Sequence, residues 1–241
     1  MNNWKNEYYK NIKKLIVEHY AGETGYYSTA GLRAAERKLL SQIPRGSKIL
    51  DVGCWSGRFS INAAKFGFDV LGVNITPRAI EVCKERATNE NLYNANFKVL
   101  DITEEVPEGQ FDYVFCPRFV INAISTNDRR RAAINNMYNA CKPGGSMYVE
   151  SFNIAYLGKG PIIPLKNIVI KFYRHFKVFL KDTFNISYKG LMPGGIVYPA
   201  NKSKTASEGY AHLPTIFEVK SYLKSGKIKS IHEVVDGKKI F

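Results

Sequence analysis

The chain has 241 residues, 45% hydrophobic and 23% charged, with 35 Lys and Arg against 21 Asp and Glu, a formal charge of +14. That composition suits one large globular domain and excludes disordered and collagen-like chains. Of the excess charge, residues 151–241 carry most, with 15 basic and 5 acidic side chains against 20 and 16 in residues 1–150.

The amino terminus, MNNWKNEYYK, has no apolar stretch of signal-peptide type. No apolar run approaches the ~18 residues of a membrane span. Cys54, Cys83, Cys116 and Cys141 form no C-x-x-C pair, which suits a reducing cytosol and argues against zinc or a disulfide framework. A cytoplasmic protein is the expectation.

In chain order, residues 5–20 place Tyr8, Ile12, Leu15, Ile16 and His19 on one stripe of a helix. A turn-rich segment follows, and LRAAERKLLSQI predicts a second helix ended by Pro44 and Gly46. From residue 48 the period shortens: KILDV, DVLGV, FKVLD, FDYVFC and SMYVESF have strand length. Helical stretches separate several of them, which predicts a parallel sheet covered on both faces. Thr76 before Pro77 suits a helix start, and Pro143-Gly144-Gly145 suits a helix stop. Residues 156–212 interrupt the alternation with Gly- and Pro-rich loops and one helical stretch. A capping box, Thr215 with Glu218, then opens a short helix, and IKSIHEVV turns through Asp236-Gly237 into KKIF as a terminal hairpin.

The chemistry concentrates after the first strand. ILDVGCWSGRFS places Asp51 at a strand end, then Gly53 and Gly57 before a helix whose amino terminus favours negative charge. The G-x-G-x-x-G dinucleotide fingerprint fails, because Trp55 and Arg58 stand at its later glycines. A P-loop fails too, since no Lys-Ser/Thr pair follows Gly57.

This loop resembles motif I of the class I S-adenosylmethionine-dependent methyltransferases, D-x-G-x-G-x-G. VLGVNITPRAI, NFKVLDIT, FDYVFCPRF and ACKPGGSMYVES resemble that family's later motifs in the same order. The resemblance implies an α/β, doubly wound, Rossmann-like seven-stranded sheet with a terminal antiparallel hairpin. Its parts would be an N-terminal helical lid (1–44), a cofactor-binding core (45–155), a substrate-covering insertion (156–212) and a closing helix and hairpin (213–241).

For S-adenosylmethionine, it implies Gly53, Cys54, Trp55 and Gly57 along the methionyl part, with Asp51 near the amino group. Asn74 and Ile75 would meet ribose and adenine, and Asp101 and Ile102 the adenine edge and face. Two departures stand out. Trp55 replaces the middle glycine, and Asn74 replaces the carboxylate that accepts both ribose hydroxyls.

Among the remaining polar residues, His212 stands where the insertion rejoins the core and suits a general base. As a plain reading it is a hydrogen-bonded loop histidine. Arg118 and Asn122 follow the fourth strand, whose carboxyl end opens on the ligand crevice in such sheets. Tyr26 and Tyr27 are candidates for closing over the cofactor, with Arg33 as a carboxylate partner. Arg129-Arg130-Arg131 reads as a solvated face. Residues 165–181 read as a basic amphipathic helix that covers substrate, lies on an anionic membrane or pairs with a second copy. The absence of a D/N-P-P-Y/F motif argues against amino-methylation of nucleic acid, so a small molecule methylated at oxygen or nitrogen leads. An RNA (tRNA) methyltransferase and a non-catalytic binding subunit are the alternatives, and an anionic partner and a homodimer remain open.

Overall fold

The computed structural model describes residues 3–22, 31–151, 195–198, 209–212, 221, 233–235 and 238–240. Helix α1 (Asn3–Gly22) and helix α2 (Ala34–Leu40) precede the sheet. Strand β1 (Lys48–Val52), helix α3 (Arg58–Lys65), strand β2 (Asp69–Asn74), helix α4 (Pro77–Asn89) and strand β3 (Ala95–Val99) follow. Next come strand β4 (Phe111–Cys116), helix α5 (Val120–Ala123), helix α6 (Asn127–Ala140) and strand β5 (Cys141–Val149).

These five strands form one parallel sheet in the order β3-β2-β1-β4-β5. The order reverses direction between β1 and β4, which places the ligand crevice outside their carboxyl ends. Side chains alternate across the sheet. Ile49, Phe115 and Val70 join Phe59, Ile61 and Ile80 of α3 and α4 in one core layer. On the other face Leu50, Val52 and Val114 meet Ala133, Ile134 and Met137 of α6. The expected doubly wound sheet is present. The five parallel strands are those in the described residues, and the sixth and seventh of the expected sheet are not among them.

Several boundaries moved for identifiable reasons. The third strand ends at Val99 rather than Asp101, because Asp101 closes a turn with its own carboxylate, accepting the Thr103 N–H at 3.0 Å. The Pro143-Gly144-Gly145 turn lies within β5, where the pairing with β4 shifts register between Phe111 and Tyr113. Within residues 156–212, strand β6 (Gly195–Tyr198) pairs antiparallel with strand β7 (Gly209–His212), so His212 ends a strand rather than sitting in a loop. Strand β8 (Glu233–Val235) pairs antiparallel with strand β9 (Lys238–Ile240), as a sheet separate from the five.

The arginine run is a solvated face only at Arg131, which is exposed. Arg130 is 2% exposed and donates to the Ile124 carbonyl and to Asn127. Arg129 pairs with Glu104 at 3.2 Å, and Arg131 donates to Ser221 at 3.2 Å. The helices expected at 165–181 and after Thr215 lie outside the described residues. Among those described, no helix is long and apolar enough to cross a membrane.

Candidate functional site

The loop after β1 turns so tightly that the N–H groups of Gly53 and Cys54 both donate to the Val73 carbonyl, at 2.8 and 3.1 Å. Gly53 (φ 76°), Trp55 (φ 49°) and Gly57 (φ 80°) all adopt the left-handed conformation. For Trp55 that geometry costs about 1–2 kcal/mol. Three contacts hold it there. Cys83 Sγ donates to the Trp55 carbonyl at 2.9 Å, the indole N–H donates to the Tyr20 carbonyl at 3.3 Å, and the two rings meet edge to face at 5.0 Å. Trp55 thus keeps the backbone path of a glycine while its side chain leaves for α1. The surface in front of Gly53 is taken by α5: a Cβ there would lie 2.5 Å from Val120 Cγ2.

Beneath the loop, Asp51 is fully buried. Its Oδ2 accepts the Ser60 hydroxyl at 2.5 Å, whereas Oδ1 has no hydrogen-bond partner. Burial pushes its pKa up to about 7, against the Ser60 hydrogen bond and the Arg58 charge that pull it down. At the end of β2, Asn74 Oδ1 accepts the Thr76 N–H at 2.8 Å, so the carbonyl half of this amide is committed to its own turn. Ile75 packs with Ile12 and Ile16 of α1.

Asp101 is held by four donors, two of them from α1: Tyr9, at 2.5 Å, and Lys13. Burial raises its pKa, but the Lys13, Tyr9 and Thr103 contacts outweigh that and leave it below the usual range. Ile102 turns into the core layer with Val73 and Ile121. Burial pushes the Cys116 thiol up to about 12 and raises Cys54 as well, so neither is primed as a nucleophile.

Past β4, Arg118 and Phe119 both have positive φ (58° and 61°), and the Arg118 N–H donates to Glu150 at 2.7 Å. Asn122 is 1% exposed and donates to the His212 carbonyl at 2.8 Å, which docks β7 on α5. Since β7 also packs on α1, His212 lies where α1, β7 and the post-β4 segment converge.

Arg33 is not placed as a partner for a ligand carboxylate. Its guanidinium makes two bonds to Glu150, at 2.8 and 2.6 Å, and one to Glu36 at 3.0 Å. Glu36 in turn receives two bonds from Arg58, at 2.7 and 2.6 Å. Tyr26 and Tyr27 lie outside the described residues. The sequence offered no signal for Tyr9, Lys13, Glu36 or Val120, because each acts through a partner distant in the chain. Among the described residues, no group of three or more His, Cys, Asp and Glu is placed to hold a metal.

A switch-point crevice with a left-handed loop leading into a helix defines a nucleotide-type ligand site on a doubly wound sheet. Residues 43–171 match the family model described as a methyltransferase domain. The chain belongs to this family; it is a methyltransferase domain of the class I, S-adenosylmethionine-dependent kind, with S-adenosylmethionine as cofactor.

Curated relatives include the magnesium-protoporphyrin O-methyltransferase of Rhodobacter capsulatus, 31% identical over 119 residues, 41% of this chain and 53% of the relative. A ubiquinone biosynthesis O-methyltransferase of Acinetobacter baumannii is 28% identical over 110 residues, 45% of each chain. The chain spans about half the length of these curated relatives. A SAM-dependent methyltransferase structure from Methanosarcina mazei aligns with a TM-score of 0.62 at 21% identity, over 88% of this chain and 94% of that one. At that identity the likeness is one of fold.

The crevice fits the cofactor in its donor set: a buried carboxylate oxygen without a partner at the end of β1, and a glycine-like loop opening a helix. Val120 lies against Gly53 of that loop, and Lys13 pairs with Asp101 beyond β3.

Proposed function

We propose that this protein methylates an oxygen or nitrogen of a small molecule. The observation that carries the reading is the left-handed loop 53–57 at the sheet's switch point, with the unpartnered Asp51 oxygen beneath it. Both curated relatives are named O-methyltransferases, which supports a small acceptor. S-adenosylmethionine, when bound, supplies an electrophilic methyl group. The chain then has to align the acceptor and accept its proton.

In this reading Asp51 faces the cofactor's ammonium group, and the backbone of Gly53, Cys54, Trp55 and Gly57 follows its methionyl part. Asn74 and Ile75 meet the ribose and adenine, and Asp101 and Ile102 bound the adenine. His212, held by Asn122 through its strand, takes the acceptor's proton. Arg118 and Tyr27 orient the acceptor at the mouth. The N-terminal helices and residues 156–212 cover the site and exclude water. The basic excess of residues 151–241 supports an anionic acceptor or partner there. Four free cysteines support a cytoplasmic setting.

Calorimetry with S-adenosylhomocysteine tests the cofactor site, and no heat at millimolar ligand overturns the reading. Methyl transfer is then assayed on hydroxylated and amino small molecules beside RNA; transfer to RNA alone overturns the small-molecule acceptor. Two variants sharpen the assignments. Asn74→Asp restores a charge-assisted acceptor for the ribose and should tighten binding about tenfold in the same titration. His212→Ala should lower kcat by about 10²–10⁴ while the cofactor Kd stays unchanged.

A further inference from the structure

Under the proposed function Asp101 meets the adenine amino group, and the present inference rests on that assignment. In the structure that carboxylate is already full. Its Oδ1 accepts the Thr103 N–H at 3.0 Å and the Thr103 hydroxyl at 2.8 Å. Its Oδ2 accepts the Tyr9 hydroxyl at 2.5 Å and pairs with the Lys13 ammonium. A carboxylate has about four lone-pair sites, so four donors leave none for an exocyclic amine.

The Thr103 donors belong to the residue's own turn. The other two come from α1, where Tyr9 and Lys13 stand one helical turn apart on the same face. Both have somewhere else to go. Thr103 Oγ1 lies 2.8 Å from the Tyr9 hydroxyl and can accept its proton in place of Asp101, and Lys13 lies 3.6 Å from Glu104. Beside them is a cavity of about 170 Å³ with Ile75 and Leu100 as apolar walls and Lys13 and Asp101 on its polar side. The far end of α1 has a separate anchor, the contact of Tyr20 with Trp55 on the glycine loop.

We propose that α1 is a competitive latch on the adenine subsite: Tyr9 and Lys13 occupy the acceptor that the adenine amino group takes, so docking of the amino-terminal half of α1 and cofactor binding exclude each other at Asp101. Lys13 and Tyr9 thereby set the affinity for the cofactor. On binding, Asp101 exchanges an O–H and an ammonium donor for the amine N–H, Lys13 moves to Glu104, and Tyr20 keeps the helix on the loop.

The test is calorimetry on the full chain and on the double variant Tyr9→Phe, Lys13→Met, which keeps the ring and the aliphatic stem that α1 buries. S-adenosylhomocysteine should bind the variant about tenfold more tightly than the unaltered chain. S-inosylhomocysteine, which has an oxo group in place of the amine, should show no gain. Equal or weaker binding of S-adenosylhomocysteine by the variant overturns the latch, and so does an equal gain for both ligands. Failure of both proteins to bind S-adenosylhomocysteine overturns the cofactor assignment and the latch with it. If the double variant does not fold, Lys13→Met alone gives the same comparison, since Lys13 is 30% exposed. About threefold tightening is expected there, and its absence overturns the latch.

Discussion

Replacing Glu36 by alanine should cost about 3–5 kcal/mol of folding stability, read from urea denaturation, because it leaves buried guanidinium charge without its partner. Glu36 is 1% exposed and Arg58 is 9% exposed. Four donors converge on this one carboxylate: two from the Arg58 guanidinium, one from the Arg33 side chain and one from the Arg33 N–H. Burial raises the Glu36 pKa, but the Arg58 and Arg33 contacts outweigh it and hold the carboxyl below its ordinary 4.5. This contribution is therefore present above pH 4.5 and lost as the pH falls through the lowered value.

Arg58→Ala should cost a similar amount. The pair Glu36→Leu with Arg58→Met should lose much less than the sum, since an apolar pair carries no desolvated charge. Additive losses would show that the two side chains act independently. The pair matters to the site as well as to the fold. Arg58 is the first residue of α3, directly after the glycine loop, and Glu36 ties it to α2 and, through Arg33, to Glu150 beyond β5.

Asp51→Asn should raise stability at neutral and higher pH and leave it unchanged in acid. Folding lifts the Asp51 pKa from an ordinary 3.8 to about 7, chiefly because the carboxyl is fully buried. A raised acid favours the folded state below its unfolded pKa, and that advantage is lost as the pH rises through the folded value. The stability difference between variant and unaltered chain should therefore be flat below about pH 4, grow up to about pH 7 and level off above it. The lift from 3.8 to about 7 sets its full size at about 4 kcal/mol. Thermal denaturation from about pH 4 to about pH 9 measures it, and a pH-independent difference would show that Asp51 does not titrate in this range. If Asp51 faces the cofactor's ammonium, saturating S-adenosylhomocysteine should flatten the slope in the unaltered chain.

The legible parts of this protein are those made by short-range forces. Runs such as FDYVFC read as buried strands because alternate side chains enter opposite core layers within a few residues, and β4 spans Phe111–Cys116 as expected. The turn of Gly53 and Gly57 was legible for the same reason, since left-handed backbone leaves few residue choices. The order of five such elements was enough to indicate the sheet.

Tertiary structure alone decided how the site residues are used. Asp101 looked like an acid awaiting a ligand, yet Tyr9, 92 residues away, bonds to it. Arg33 looked available for a carboxylate and is spent on Glu150, 117 residues on. Trp55 stood out as a departure at the middle glycine of the loop, and its indole donates to the carbonyl of Tyr20, 35 residues earlier. Periodicity and turn chemistry report which conformation a segment prefers. Which donor reaches a given buried acceptor depends on where packing brings distant segments together, and no local pattern encodes that distance.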